Sequence, residues 1–159
     1  MKTLKILFAL TIMLGIAAAG LSQGKGKQVV RPMKGIFYET PNLSKPGESF
    51  VTGNVTHMGN ITGTSVADMS GAYWEGNVLK GVKNSKIKIA ANGDKIFSEA
   101  FVTLIFNLPM DGTGTISAVA YTRGGTGRFE GCSGQVEALG TFNMNTGYKE
   151  YTVEGWIKY

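Results

Sequence analysis

The clearest regularity in the chain is a period of two. Over residues 113–122, Ile116, Ala118 and Ala120 fall on one side and Thr115, Ser117, Val119 and Tyr121 on the other. Over 135–144, Val136, Ala138, Gly140 and Phe142 oppose Gln135, Glu137, Leu139, Thr141 and Asn143. Over 149–159, Tyr151, Val153, Gly155 and Ile157 oppose Glu150, Thr152, Glu154, Trp156 and Lys158. Such alternation sends successive side chains to opposite faces of a β-strand, one toward a core and one toward water. The spacing of an amphipathic helix is missing from the domain.

Earlier segments extend the pattern. Residues 33–40 form a strand candidate that ends at Pro41-Asn42, and 50–55 and 56–64 are rich in Val, Thr, Phe and Ile but interrupted by Gly53, Gly59 and Gly63, as bent or bulged strands are. Residues 65–82 read as a short strand and a loop around Tyr73-Trp74. Residues 85–90 and 95–106 flank Ala91-Asn92-Gly93-Asp94, where Asn-Gly supplies the positive φ of a tight hairpin turn. Residues 96–106 are apolar on both faces, which leaves their phase open. About eight short strands predict an all-β, antiparallel sandwich or closed barrel. Small residues on the inward faces (Ala118, Ala120, Ala138, Gly140, Gly155) and glycines where a closing sheet must bend favour the barrel.

Composition narrows the setting. In 159 residues, 43% are hydrophobic and 17% charged, which suits one globular domain and excludes a disordered polyelectrolyte. Lys2 and Lys5 precede a charge-free apolar run from Ile6 to Ala19, the pattern of a secretory signal peptide. Residues 1–22 are therefore expected to be a leader that is removed, 23–32 a flexible connector, and 33–159 the domain, exported to the periplasm or the extracellular space. No later apolar run is long enough to span a bilayer as a helix, so no membrane partner is expected after cleavage. Loss of the two leader lysines takes the formal charge from +5 to +3. Lys80, Lys83, Lys86 and Lys88 cluster without interleaved aromatics, which predicts a solvated edge strand guarded by lysine and no nucleic-acid partner. The single cysteine, Cys132, excludes an internal disulfide and reads as a small buried filler.

The densest local feature runs from Gly124 to Gly134, with Gly124, Gly125, Gly127, Gly131 and Gly134. It is not a phosphate loop, since no Gly-Lys-Ser/Thr ends it and Glu130 stands where GxGxxG needs its last glycine. It is not a nucleophile elbow either, because Gln135 stands where GxSxG needs glycine. What remains is a structural turn, with Phe129 capping one end of the barrel and Arg128 and Glu130 at the rim. Gly125-Thr126-Gly127-Arg128-Phe129-Glu130-Gly131 with Gly134, together with Thr56-His57-Met58-Gly59 and Ala91-Asn92-Gly93-Asp94, resembles the motif set of secreted bacterial allene-oxide-cyclase-like, or dirigent-like, proteins. The resemblance covers 33–159 and implies an eight-stranded, calycin-like barrel with a central cavity. It also implies relatives among plant cyclases and proteins that guide radical coupling without a metal. Cys132-Ser133 departs from the small Ala-Thr pair usual there, and no catalytic residue carries over.

One histidine, one cysteine and no spaced carboxylate cluster give no metal site, and no cofactor is expected. Glu99 is the carboxylate expected in the driest surroundings, and with His57, Tyr121 and Arg123 it forms the candidate catalytic set if these converge on a cavity. Three functions remain open. The barrel could hold a small apolar ligand without catalysis, act as a cofactor-independent isomerase, cyclase or dirigent-like protein, or serve as a structural envelope protein. In the last case Trp156 or Tyr73/Trp74 would make the contacts, in competition with assembly into a homo-oligomer.

Overall fold

In the computed structural model, residues 28–159 are described. The expected signal peptide, 1–22, lies outside them, as do residues 23–27.

Nine strands follow one another: β1 (Val30–Pro41), β2 (Glu48–Val55), β3 (Gly59–Asp68), β4 (Tyr73–Glu75), β5 (Val78–Ala90), β6 (Lys95–Phe106), β7 (Thr113–Gly125), β8 (Ser133–Asn143) and β9 (Tyr148–Lys158). Every pairing is antiparallel, and the ladder runs β3-β2-β1-β9-β8-β7-β6-β5. A further β3–β5 pairing joins the two ends of that ladder, so eight strands close into a barrel. Closure leaves no free sheet edge among them. The short β4 stands outside the ring, paired to the first residues of β5.

The alternation seen in β7, β8 and β9 is realised, with Ile116, Ala118, Val136, Ala138, Phe142, Tyr151, Val153 and Ile157 buried inside. The phase of β6 is now fixed: Ile96, Ser98, Ala100, Val102, Leu104 and Phe106 point inward. Small residues let neighbouring strands bend and approach. At inward-facing Gly63 a Cβ would lie 1.9 Å from the Ile87 carbonyl oxygen of β5, so only glycine fits there.

Four local expectations change. β1 begins at Val30, because Val30, Arg31 and Pro32 pair with Lys158, Ile157 and Trp156 of β9, so the end of the expected connector is strand. Residues 56–58 form a turn. Gly124 and Gly125 end β7, and a 3-10 turn over Gly127–Phe129 follows. The Asn-Gly hairpin uses a single positive φ, that of Gly93 at 88°, in a three-residue loop closed by the bond from Ala90 N–H to the Asp94 carbonyl.

A fifth change matters most for function. Lys86 and Lys88 do not line a solvated edge, because both point into the barrel. The cause is a β-bulge between Leu79 and Val82, where Gly81 takes φ 77°. One extra residue reverses the phase of the strand. After the bulge Val82, Asn84, Lys86, Lys88 and Ala90 turn inward, and Ile87 is left facing solvent.

A charged cavity, closed at one end

One end of the barrel is shut by the glycine-rich stretch after β7 together with the β2–β3 and β5–β6 turns. Phe129 is 0% exposed and packs edge-on against Tyr159, with ring centroids 5.0 Å apart. Arg128 stacks on Phe129, forms an ion pair with Asp94 of the β5–β6 turn at 3.5 Å and donates to the carbonyl of His57 in the β2–β3 turn. Three loops are thus tied by one guanidinium. Gly127 is required on two counts: its φ is +60°, and a Cβ would meet the Asp94 carboxylate. Cys132 is buried at the same end, and burial pushes its thiol up, which opposes a nucleophilic role.

Between this plug and the opposite end lies a cavity of about 140 Å³. Its lining reaches Met69 and Met144, both half-exposed, which puts the mouth at the end away from Phe129. Most of the wall is apolar, including Val82, Val102, Leu104, Ile116, Val136 and Val153. The polar part comes from four strands: Glu39 of β1, Asn84, Lys86 and Lys88 of β5, Ser98 of β6, and Lys149 and Tyr151 of β9.

Glu39 is 0% exposed and fully engaged. Its Oε1 accepts from Lys86 Nζ at 2.6 Å and from the Tyr151 hydroxyl at 2.7 Å, and its Oε2 accepts from Lys149 Nζ at 3.0 Å. Burial alone would raise the carboxyl, but the charges of Lys86 and Lys149 and the bonds from Lys86 and Tyr151 outweigh it and hold the group at about 2. Burial lowers Lys86 against the pull of Glu39, while burial and the Glu39 charge push Tyr151 up. Phe37 stacks on the Tyr151 ring at 5.4 Å and fixes its position.

Lys88 is different. It is 4% exposed, its Nζ lies 5.9 Å from the centroid of Phe37, and among the described residues it has neither an ion-pair nor a hydrogen-bond partner. Burial, reinforced by the positive charge of Lys86 and opposed by Cys132, brings its ammonium down to about 8. Ser98 Oγ and Asn84 Oδ1 are buried polar atoms without hydrogen-bond partners among the described residues.

The four residues put forward from sequence do not line this cavity. Glu99 sits on the outer face of β6 and pairs with Arg123 of β7 at 2.9 Å, with side chains 36% and 57% exposed. Tyr121 lies beside them, edge-on to Phe101. His57 is at the plugged end, with φ 69° and its Nε2 2.8 Å from the Pro32 carbonyl oxygen. Three of the four therefore meet, but on the outer surface and not at the cavity. The tryptophans Trp74 and Trp156 and Tyr73 are about half exposed.

Comparison with protein-family models and with curated proteins gives no match. Among solved structures the chain is similar to a pterocarpan synthase dirigent protein, at 13% identity and a TM-score of 0.33, over 84% of this chain and 86% of the other. At that degree of superposition the fold is read from this chain's own strand pairings.

Proposed function

We propose that this protein is an exported binding barrel that holds one small, mainly apolar molecule in its central cavity. The observation that carries the reading is the cavity itself, an apolar-walled space whose mouth is opposite the Phe129 plug. Its volume of about 140 Å³ sets the scale of the guest. An apolar cavity of ~150 Å³ accepts a benzene-sized ring, whereas drug-sized pockets run from ~300 Å³ upward. The guest is then a single ring or a short chain.

The experiment is a titration of the purified protein with toluene and benzyl alcohol, followed by calorimetry and by the shift in unfolding temperature. Saturable one-to-one binding that Ala138→Phe abolishes supports the reading, because a phenyl group at that wall position fills the space. Absence of binding by every single-ring probe refutes it.

A second reading, cofactor-independent isomerisation of the guest, is favoured by one observation: an ammonium held at about 8 beside an apolar space can exchange a proton near neutral pH. Recovery of the bound molecule unchanged after prolonged incubation decides against it.

A further inference from the structure

We propose that the guest is a monoanion, a carboxylate on a small apolar body, and that Lys88 of β5 is its counter-ion. The inference deepens the binding-barrel reading and rests on it.

Charge balance leads to this class. The ionisable groups facing the cavity are Glu39 from β1, Lys86 and Lys88 from β5, and Lys149 and Tyr151 from β9. Cys132 lies close enough to Lys88 to act on its charge. The Glu39 carboxylate is already taken on both oxygens by Lys86, Tyr151 and Lys149. Lys149 sits toward the mouth with its side chain 22% exposed, so water shares its charge. Lys86, with its side chain 12% exposed, and Lys149 both pair with Glu39, which leaves Lys88 as the cavity ammonium without a negative partner among the described residues. Buried charges are normally paired, since an isolated ion out of water is costly. A monoanion beside Lys88 supplies that missing partner.

The hydrogen-bonding groups agree. Ser98 Oγ, on the strand next to β5, is buried without a partner and can donate to a carboxylate oxygen. The apolar wall takes up the remainder of the molecule, and the volume limits it to one ring or similar bulk. Gly63, paired with Lys88 across the β3–β5 seam, adds no side chain beside the lysine.

The test compares benzoate with benzyl alcohol, near-isosteres that differ in charge, on the purified protein at pH 7. Benzoate is expected to bind at least tenfold more tightly. In Lys88→Met benzoate should lose at least tenfold, while benzyl alcohol stays within about twofold of its wild-type affinity. Near pH 8, where the free ammonium is half titrated, benzoate binding should be accompanied by uptake of about half a proton by Lys88, visible as a binding enthalpy that varies with the ionisation enthalpy of the buffer. The wild-type comparison and the proton uptake need no variant, so they stand even if Lys88→Met does not fold.

Equal affinity for the two probes, undiminished benzoate binding in Lys88→Met, or binding without proton uptake overturns the proposal. Benzyl alcohol binding in the absence of benzoate binding overturns the anion alone and leaves the binding barrel in place. Failure of both probes overturns the two readings together.

Discussion

Replacing Lys88 by Met tests the electrostatics of the cavity directly. The substitution keeps an unbranched side chain of similar length and removes the charge. In the folded protein the ammonium titrates at about 8, against an ordinary value of 10.5. That gap, at ~1.4 kcal/mol per pH unit, corresponds to a penalty of ~3 kcal/mol for holding the charged form in ligand-free protein. The sign follows from proton counts. Between pH 8 and 10.5 the unfolded chain keeps a proton on this lysine that the folded chain has lost, so wild-type stability rises with pH across that window. Below pH 8 both states are charged and the penalty is fully present.

Lys88→Met should therefore be more stable than wild type by ~3 kcal/mol at pH 7, roughly 10 °C in Tm, and this advantage should shrink toward zero by about pH 10.5. Urea unfolding followed by tryptophan fluorescence from pH 6 to 10.5 gives the difference curve, in which lysines common to both proteins cancel. A variant no more stable than wild type at pH 7, or a pH-independent difference, would show that the ammonium is paired or hydrated and would remove the argument.

Glu39→Gln leaves Lys86 and Lys149 without their shared carboxylate and should cost ~3–5 kcal/mol in urea unfolding. In wild type the Glu39 contribution is complete above pH 4.5 and lost as pH falls toward 2, so the variant should also lose that part of the acid-unfolding curve. Phe129→Ala should cost ~3–5 kcal/mol by emptying the plug, and Gly127→Ala ~2 kcal/mol or more through its positive φ and the clash with Asp94, both measurable by calorimetry. Glu99→Gln should change stability by less than about 1 kcal/mol, as for exposed ion pairs, and leave single-ring binding unaltered by titration.

The barrel was legible in the sequence because β7, β8 and β9 each bury one face of a regular strand, where the period of two needs no other information. The glycine-rich turn was legible for a similar reason, since Gly127 and its neighbours satisfy local backbone demands. The polar cavity was not. In β5 the isoleucines and lysines alternate as clearly as in any other strand, but the bulge at Gly81 reverses which set is inside, and its only trace in the sequence is one more glycine among many. Counting phase from Leu79 puts Ile87 inside and Lys88 outside, the opposite of what is found. Glu39 escaped because the partners that make its burial tolerable, Lys86, Lys149 and Tyr151, lie between 47 and 112 residues away. Glu99 was misplaced for a related reason: β6 is apolar on both sides, so only its neighbours decide which side is the interior.

The seam between β1 and β9 joins strands from opposite ends of the described chain, with Glu39 across from Lys149. Contacts over such separations carry a large loop-closure cost, so this seam is expected to form late. Until that seam zips there is no enclosed space, and neither Glu39 nor Lys88 has left water. A guest in the cavity can then recognise only the finished barrel. On the binding-barrel proposal, such a guest is expected to lower the unfolding rate and leave the refolding rate as it was, which is kinetic persistence and not faster assembly.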